Sequence, residues 1–313
     1  MFINRKRLPP VGWQPFYEKR FDVMRLNGKK KLIPYLFILP WIIGFLVFTL
    51  FPLLFSLYMS MFDWSISGTK TLVGLENYVT MFGDKNFYHS MWVTIRYAAM
   101  LVPLNVGIAL ILALLLNGIR KGAGFFKTVF YIPTIISGVA LALIWSWILK
   151  DTGILNQLLS GLGIEPISWL RSPDASMWAV VLTTIWAQGS MMLVFLSALK
   201  GIPAQVMEAA EIDGAKGLKR FWKVVLPLIS PTLVYNLIMA IIASFQQLTV
   251  VMNLTNGGPS KSTYMYSLFI YENAFKQFKL GYAAANAWIM FLIVLVLTGI
   301  VLTISKKWTY YEV

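Results

Sequence analysis

Six stretches of this 313-residue chain contain no Asp, Glu, Lys or Arg: Leu32–Phe62, Tyr97–Ile119, Thr128–Leu149, Ala175–Leu199, Val224–Ser260 and Leu280–Ser305. Each is long enough to cross about 30 Å of hydrocarbon, for which a helix needs roughly 20 apolar residues. In lipid the backbone must satisfy its own hydrogen bonds, so a spanning segment is a helix or a strand of a closed barrel. Barrel strands alternate apolar and polar residues, and these runs do not alternate. They predict an all-α membrane protein with six transmembrane helices, the fifth run taking in a polar outer loop at its end. A composition that is 58% hydrophobic and only 13% charged, with a mean hydropathy of +0.68, lies outside the soluble range and agrees.

The charges then assign sides. The N-terminus, the loops near residues 120 and 210 and the C-terminus together carry 19 of the 27 basic residues against 6 acids, whereas the three remaining loops carry 7 bases and 7 acids. By the positive-inside bias both termini are expected in the cytoplasm. The net charge of +14 is then a topology signal, and no basic motif interleaved with aromatics on a soluble module points to a nucleic-acid partner. The expected organisation is a basic cytoplasmic segment at 1–31, a six-helix domain at 32–305 with a cytoplasmic loop at 200–227, and a cytoplasmic tail at 306–313. The basic segment lacks a short apolar core followed by a cleavage site, so it reads as a tail lying on anionic lipid rather than a removed signal. The absence of cysteine excludes disulfides and thiolate metal centres. With His89 the sole histidine, no catalytic or metal-binding set is expected.

Polar residues inside the runs are the candidates for a solute pathway. Gln188 lies in the fourth run; Asn236, Ser244, Gln246, Gln247, Thr249 and Asn253 lie in the fifth, the last four in its outer half. Such residues commonly join helices. With Trp145, Trp147 and Trp186 nearby they are also placed to line a wet, uncharged cavity, where amides meet hydroxyls and indole rings meet C–H faces of a polyhydroxylated ligand. Arg96 is the one base left over from the loops and the only charge expected within a span, about six residues in from the outer end of the second. Either it snorkels to outer headgroups, or it faces a cavity and meets an anionic group, such as a uronate carboxylate, with its planar fork. The six runs contain no carboxylate, which speaks against an ion-coupled carrier.

The loop between the fourth and fifth runs is organised. Pro203 suits a first helical turn, and Ile202, Val206, Ala209 and Ala210 recur on one stripe. Glu208 and Glu211 are neighbours three apart, and Gly214 sits where a glycine ends a helix. Lys216, Lys219, Arg220 and Lys223 then form a basic stripe beside Phe221 and Trp222, an interfacial helix. Leu226-Pro227 is expected to break the chain before the fifth span. The whole reads as a knob for protein docking at the membrane surface.

The order Glu208-Ala209-Ala210, Glu211, Asp213, Gly214, and then Val224-x-Leu226-Pro227, resembles the EAA loop of binding-protein-dependent ABC importer permeases. LVGLENY (Leu72–Tyr78), GILNQLL (Gly153–Leu159), LTNGGPSKST (Leu254–Thr263), IYENAF (Ile270–Phe275) and LGYAAA (Leu280–Ala285) are similar to the carbohydrate-uptake branch, the sugar permeases of the maltose/oligosaccharide and glycerol-phosphate type. The resemblance implies the type I importer transmembrane fold in a bacterial or archaeal cytoplasmic membrane. It also implies three kinds of partner: a second, different permease chain, an ATPase dimer holding ATP and Mg, and an extracytoplasmic solute-binding protein. In that family the Glu208 helix enters a cleft of the ATPase subunit, with Glu208 pairing to a basic residue. The cargo would be a sugar or oligosaccharide, neutral or acidic. The chain carries no G-x-x-x-x-G-K-[ST] loop to cradle ATP phosphates, so no cofactor is expected on it. A secondary carrier or channel, and a scaffold that recruits an ATPase without moving solute, are the competing readings.

Overall fold

The computed structural model describes residues 33–65, 68, 70–119 and 121–309. The basic segment at 1–31, Arg120 and the last four residues of the tail lie outside the described residues. The chain divides after Ser56 into two compact units. α1 (Tyr35–Ser60) is a 26-residue apolar span interrupted by one π-helical turn, Leu46–Leu50.

In the second unit the end of α1 leads into a hairpin of β1 (Phe62–Trp64) and β2 (Lys70–Leu72), antiparallel with Phe62 opposite Leu72. After α2 (Glu76–Gly83) comes α3 (Lys85–Gly118). α4 (Ala123–Ile135) meets α5 (Gly138–Ile148) at 102°, and α6 (Ile154–Gly161) follows. α7 (Pro173–Trp186) meets α8 (Gly189–Gly201) at 49°. α9 (Ala204–Ile212) precedes α10 (Gly217–Leu228), which meets α11 (Ser230–Phe245) at 73°. α12 (Thr249–Leu254), α13 (Tyr266–Phe275) and α14 (Leu280–Ser305) complete the order. Three helices are continuous spans and three are bent pairs, six spans in all if each pair counts as one. The chain is helical as expected, apart from the small hairpin among the described residues.

α3 is the axis of the second unit. At 34 residues it is about 50 Å long at 1.5 Å per residue. Its buried stripe Val102, Val106, Ala109, Ala113 and Leu116 recurs at helical spacing and packs with Met192, Phe195, Leu196 and Leu199 of α8. Ala109 and Ala113, both fully buried, let the two backbones approach, as small residues do between helices in lipid. The other half of α3 places Phe87, Val93, Tyr97 and Leu101 against Met177 and Val180 of α7 and Tyr266, Leu268 and Phe269 of α13. The helix begins twelve residues before the apolar run because Asp84 caps it, accepting from the Asn86 N–H at 2.8 Å, and Ser90 and Thr94 return their hydroxyls to backbone carbonyls. Arg96 lies inside the helix as expected, deeper from its start than the span pattern placed it.

Two expectations need correction. Leu226-Pro227 does not break the chain: Leu226 has helical dihedrals, and the bend falls at Ile229, before Pro231. A π-helical turn at Phe221–Val225 precedes this proline, with the Leu226 N–H bonded to the Phe221 carbonyl. The same device occurs at Leu46–Leu50, ahead of Pro52. One residue of slack in the ladder makes room for a ring that would otherwise clash with the carbonyl four residues back. Nor is the fifth run one span. α11 ends at Phe245, the chain turns over residues 246–248, and α12 packs separately against α5, so Gln246, Gln247 and Asn253 do not share one helix. An unbroken apolar run conceals such a turn because hydropathy carries no dihedral information.

Gly281, at the start of α14, touches the hairpin so closely that a Cβ there would overlap the Phe62 carbonyl oxygen, whereas Gly299 has open space around it. Overpacking a rigid contact costs about 1–3 kcal/mol. Gly281→Ala should therefore lower the thermal midpoint of the purified chain in detergent, and Gly299→Ala should not.

Candidate functional site

Three irregular points inside the apolar runs come together: the α4–α5 bend at 136–137, the α7–α8 bend at 187–188 and the turn at 246–248. Thr134 donates to the Ala187 carbonyl at 3.3 Å, joining the first to the second. Gln247 Nε2 donates to Thr184 Oγ1 at 3.3 Å and Tyr97 Oη at 3.4 Å, joining the third to the second and to α3. A Cβ on Gly138 would lie 3.0 Å from the Thr249 methyl, joining the first to the third. The freed backbone groups find side chains: Ser267 donates to the Gln247 carbonyl at 2.6 Å, and Ser137 accepts from the Ala140 N–H at 3.3 Å. Gly189 permits the closeness, since a Cβ there would overlap the Phe130 carbonyl. Broken helices survive at membrane depth only where protein or a water-filled path satisfies them.

The structure gathers part of the expected pathway set. Trp145 and Trp186 meet edge to face, with centroids 6.0 Å apart and planes at 69°. Gln188 sits at the α7–α8 bend, 7% exposed. Its Oε1 and the Trp145 Nε1 are buried without a hydrogen-bond partner among the described residues, an acceptor and a donor held ready beside the junction. Gln247 joins the network just described. Gln246 is exposed, and Asn253 is half-buried on α12, its amide turned back to the Thr249 carbonyl at 2.7 Å. Arg96 stands exposed on α3 beside Trp92 and Ile95, and among the described residues it makes no ion pair. Sequence reasoning missed Tyr97 and Thr184, which hold the junction. Both lie within apolar runs, where a hydroxyl carries no mark of its partner.

At the opposite end of α3, α9 is closed by a Schellman motif. The Ala215 N–H bonds the Ala210 carbonyl at 2.8 Å and the Gly214 N–H bonds the Glu211 carbonyl at 3.1 Å. Gly214 has φ +74°, as its assigned place requires, and Ala210 and Ala215 are buried beneath. Pro203 precedes the helix rather than lying in its first turn. Ala209 departs from the expected buried stripe and is exposed, as are Glu208, Glu211 and Asp213. Among them stand Ile212, 86% exposed, and, across the turn, Leu218 at 77%. Sequence reasoning passed over this apolar pair, although isolated aliphatics among charges were the available signal. Behind the knob a groove of about 860 Å³ separates α9 from Leu110, Ile111 and Leu114 of α3.

Residues 105–310 match the family of binding-protein-dependent transport system inner membrane components. The chain is 40% identical over 289 residues to a Bacillus subtilis (strain 168) protein named "Probable ABC transporter permease protein YesP", covering 91% of this chain and 94% of that one. It is 32% identical over 283 residues to the arabinooligosaccharides transport system permease protein AraP of the same strain, covering 88% and 89%. The fold is similar to a chain in the crystal structure of a bacterial ABC transporter involved in the import of the acidic polysaccharide alginate: TM-score 0.78, 23% identity, covering 94% of this chain and 100% of that one.

The junction gives a direct test. Tyr97 is fully buried and donates to Thr184 Oγ1 at 3.0 Å. Thr184→Val removes its acceptor and should cost about 0.6–1.7 kcal/mol, the range for hydrogen bonds between membrane helices. Tyr97→Phe removes the donor. In a double-mutant cycle on thermal unfolding, the double variant should lose less than the sum of the two.

Proposed function

The chain belongs to the family of binding-protein-dependent transport system inner membrane components, and from that premise we propose that it imports a sugar or oligosaccharide by alternating access, driven by ATP hydrolysed on separate partner subunits. It is a multi-pass inner-membrane permease subunit and performs no covalent chemistry itself. The observation that carries the energetic half of the reading is α9. A short helix locked by a Schellman turn presents Glu208, Glu211 and Ile212 to solvent, on a chain without a phosphate-cradling loop.

In this reading α9 enters a cleft on an ATPase subunit. Glu208 pairs there with a basic residue, Ile212 and Leu218 supply apolar anchors, and Asp213-Gly214 holds the turn. Leu226 and Pro227 lie in the helix that carries the push to the 73° bend. Closure of an ATPase dimer holding ATP and Mg moves α9. The bent pairs then tilt about residues 136–137, 187–188 and 229, and the junction opens in turn to either side. A second, different permease chain completes the pathway, and a solute-binding protein delivers cargo to the loops around α2 and residues 254–263. Both termini lie in the cytoplasm. The sugar class rests on relatives such as the arabinooligosaccharide permease and on the neutral amides and indoles at the junction, Gln188, Gln247, Trp145 and Trp186, with Gln246 and Asn253 beside them. Arg96 offers its guanidinium to an acidic sugar.

Glu208→Lys reverses a charge meant for a basic cleft, where loss of one partner of a desolvated pair costs about 2–5 kcal/mol. Gly214→Asp puts a side chain at positive φ. Both variants should insert normally yet abolish ATP-driven oligosaccharide uptake in proteoliposomes containing the partner subunits. Normal uptake by either would remove α9 as the coupling element.

A further inference from the structure

A pocket of about 830 Å³ opens at the end of α3 away from α9, between the hairpin, α2, α13 and the start of α14. Its volume lies in the range of small-ligand sites, but its lining is unusual. Amides and carboxylates dominate, Asp63, Asn86, Asn273 and Gln277 among them, together with two tyrosine rings, Tyr264 and Tyr282.

Some of these groups are committed to the fold. Glu272 accepts from Tyr264 at 2.6 Å and from Lys276 at 2.7 Å. Burial, the largest single influence, would raise its carboxyl, yet the two hydrogen bonds together with the Lys276 and Lys261 charges hold the pKa below the usual carboxylate value. Asp84 caps α3 and accepts from Tyr282 at 3.1 Å. Others are not committed: the side chains of Asp63, Gln277 and Lys279 are exposed and make no hydrogen bond or ion pair with the described residues. Asp63 is nonetheless held in place. Its hairpin is locked by the Lys70 ammonium, which lies 4.4 Å from the Trp64 ring centroid, 4.9 Å from that of Tyr58 and 5.0 Å from that of Phe62.

We propose that this outer pocket is a receiving site for the transported saccharide, occupied before the sugar reaches the junction between the bent helices. The proposal rests on the reading of the chain as a sugar permease. A polyol needs donors and acceptors set side by side for neighbouring hydroxyls and a ring face for its C–H surface. The pocket supplies the acceptor Asp63, the donor-acceptor Gln277, the donor Lys279 and the tyrosine rings. A docked protein would instead look for an exposed apolar anchor, and the one large aliphatic or phenyl side chain in the lining, Phe269, is itself buried. The open, wet setting makes the site weak, which suits a station that must release its ligand onward.

The test uses the complete transporter in nanodiscs without its binding protein. Uptake assays in proteoliposomes that contain the binding protein first select, from maltotetraose, arabinotetraose and alginate tetrasaccharide, the sugar that is transported. Saturation-transfer NMR with that sugar should then show saturable binding. Asp63→Ala/Gln277→Ala should weaken it by about tenfold or more, the equivalent of one or two lost hydrogen bonds. Absent binding, or binding unchanged in the double variant, overturns the proposal while transport of the sugar leaves the permease reading standing. Unchanged sugar binding with lost binding-protein-dependent uptake would assign the pocket to protein docking. A complex that transports none of the three contradicts the permease reading and the proposal with it.

Discussion

A backbone carbonyl or amide left unpaired in hydrocarbon costs several kcal/mol, and this chain interrupts its helices inside the apolar runs. Several side chains near the junction answer that cost. Thr134, Ser137 and Ser267 attend to the freed backbone, and Gln247, Tyr97 and Thr184 tie the irregular segments to one another. Gly138 and Gly189 allow the segments close enough for those bonds to form. A continuous six-helix bundle would need none of this. The interruptions supply bends about which half-helices can move while their hydrogen bonds stay within protein, as hinge motion requires.

α3 gives those hinges a frame. Its stripe of small and branched residues fixes α8 along the half nearest α9, and its other half fixes α7 and α13. The polar pocket, the junction and the α9 knob are thus distributed along one helix. α8 continues from the bend at 187–188 to the residues just before the knob, and in the proposed mechanism it carries displacement of α9 to the junction. The groove of about 860 Å³ behind α9 parts it from α3, and Glu208, Ala209, Glu211 and Ile212 stand exposed on it.

Much of this was legible in the sequence. Six spans follow from charge-free length, and Gly214 announced its positive φ by its place after an acidic helix. What was not legible has physical reasons. Hydropathy is blind to dihedrals, so the turn after Phe245 and the bend at Ile229 were hidden within one apolar run. The rule that a residue before proline avoids helical geometry failed at Leu226 because a π-helical turn relieved the clash. The start of α3 lay beyond the apolar run because polar residues that bond their own helix, Ser90 and Thr94, continue it without raising hydropathy. The pathway residues were half found: Gln188, Gln247, Trp145 and Trp186 gather near one another. Tyr97 and Thr184 needed the fold to reveal them, since a hydroxyl at the edge of an apolar run reads the same whether or not it has a partner.

The central claim is that nucleotide on a partner opens the junction to the outer side. The chain has no cysteine, so Gln246→Cys, at an exposed position of the 246–248 turn, gives a single thiol to watch. In proteoliposomes of the complete transporter, a membrane-impermeant maleimide added from the extracytoplasmic side should label this thiol when the ATPase is trapped with ATP and vanadate. The same thiol should be protected without nucleotide. Equal labelling in the two states would contradict the account.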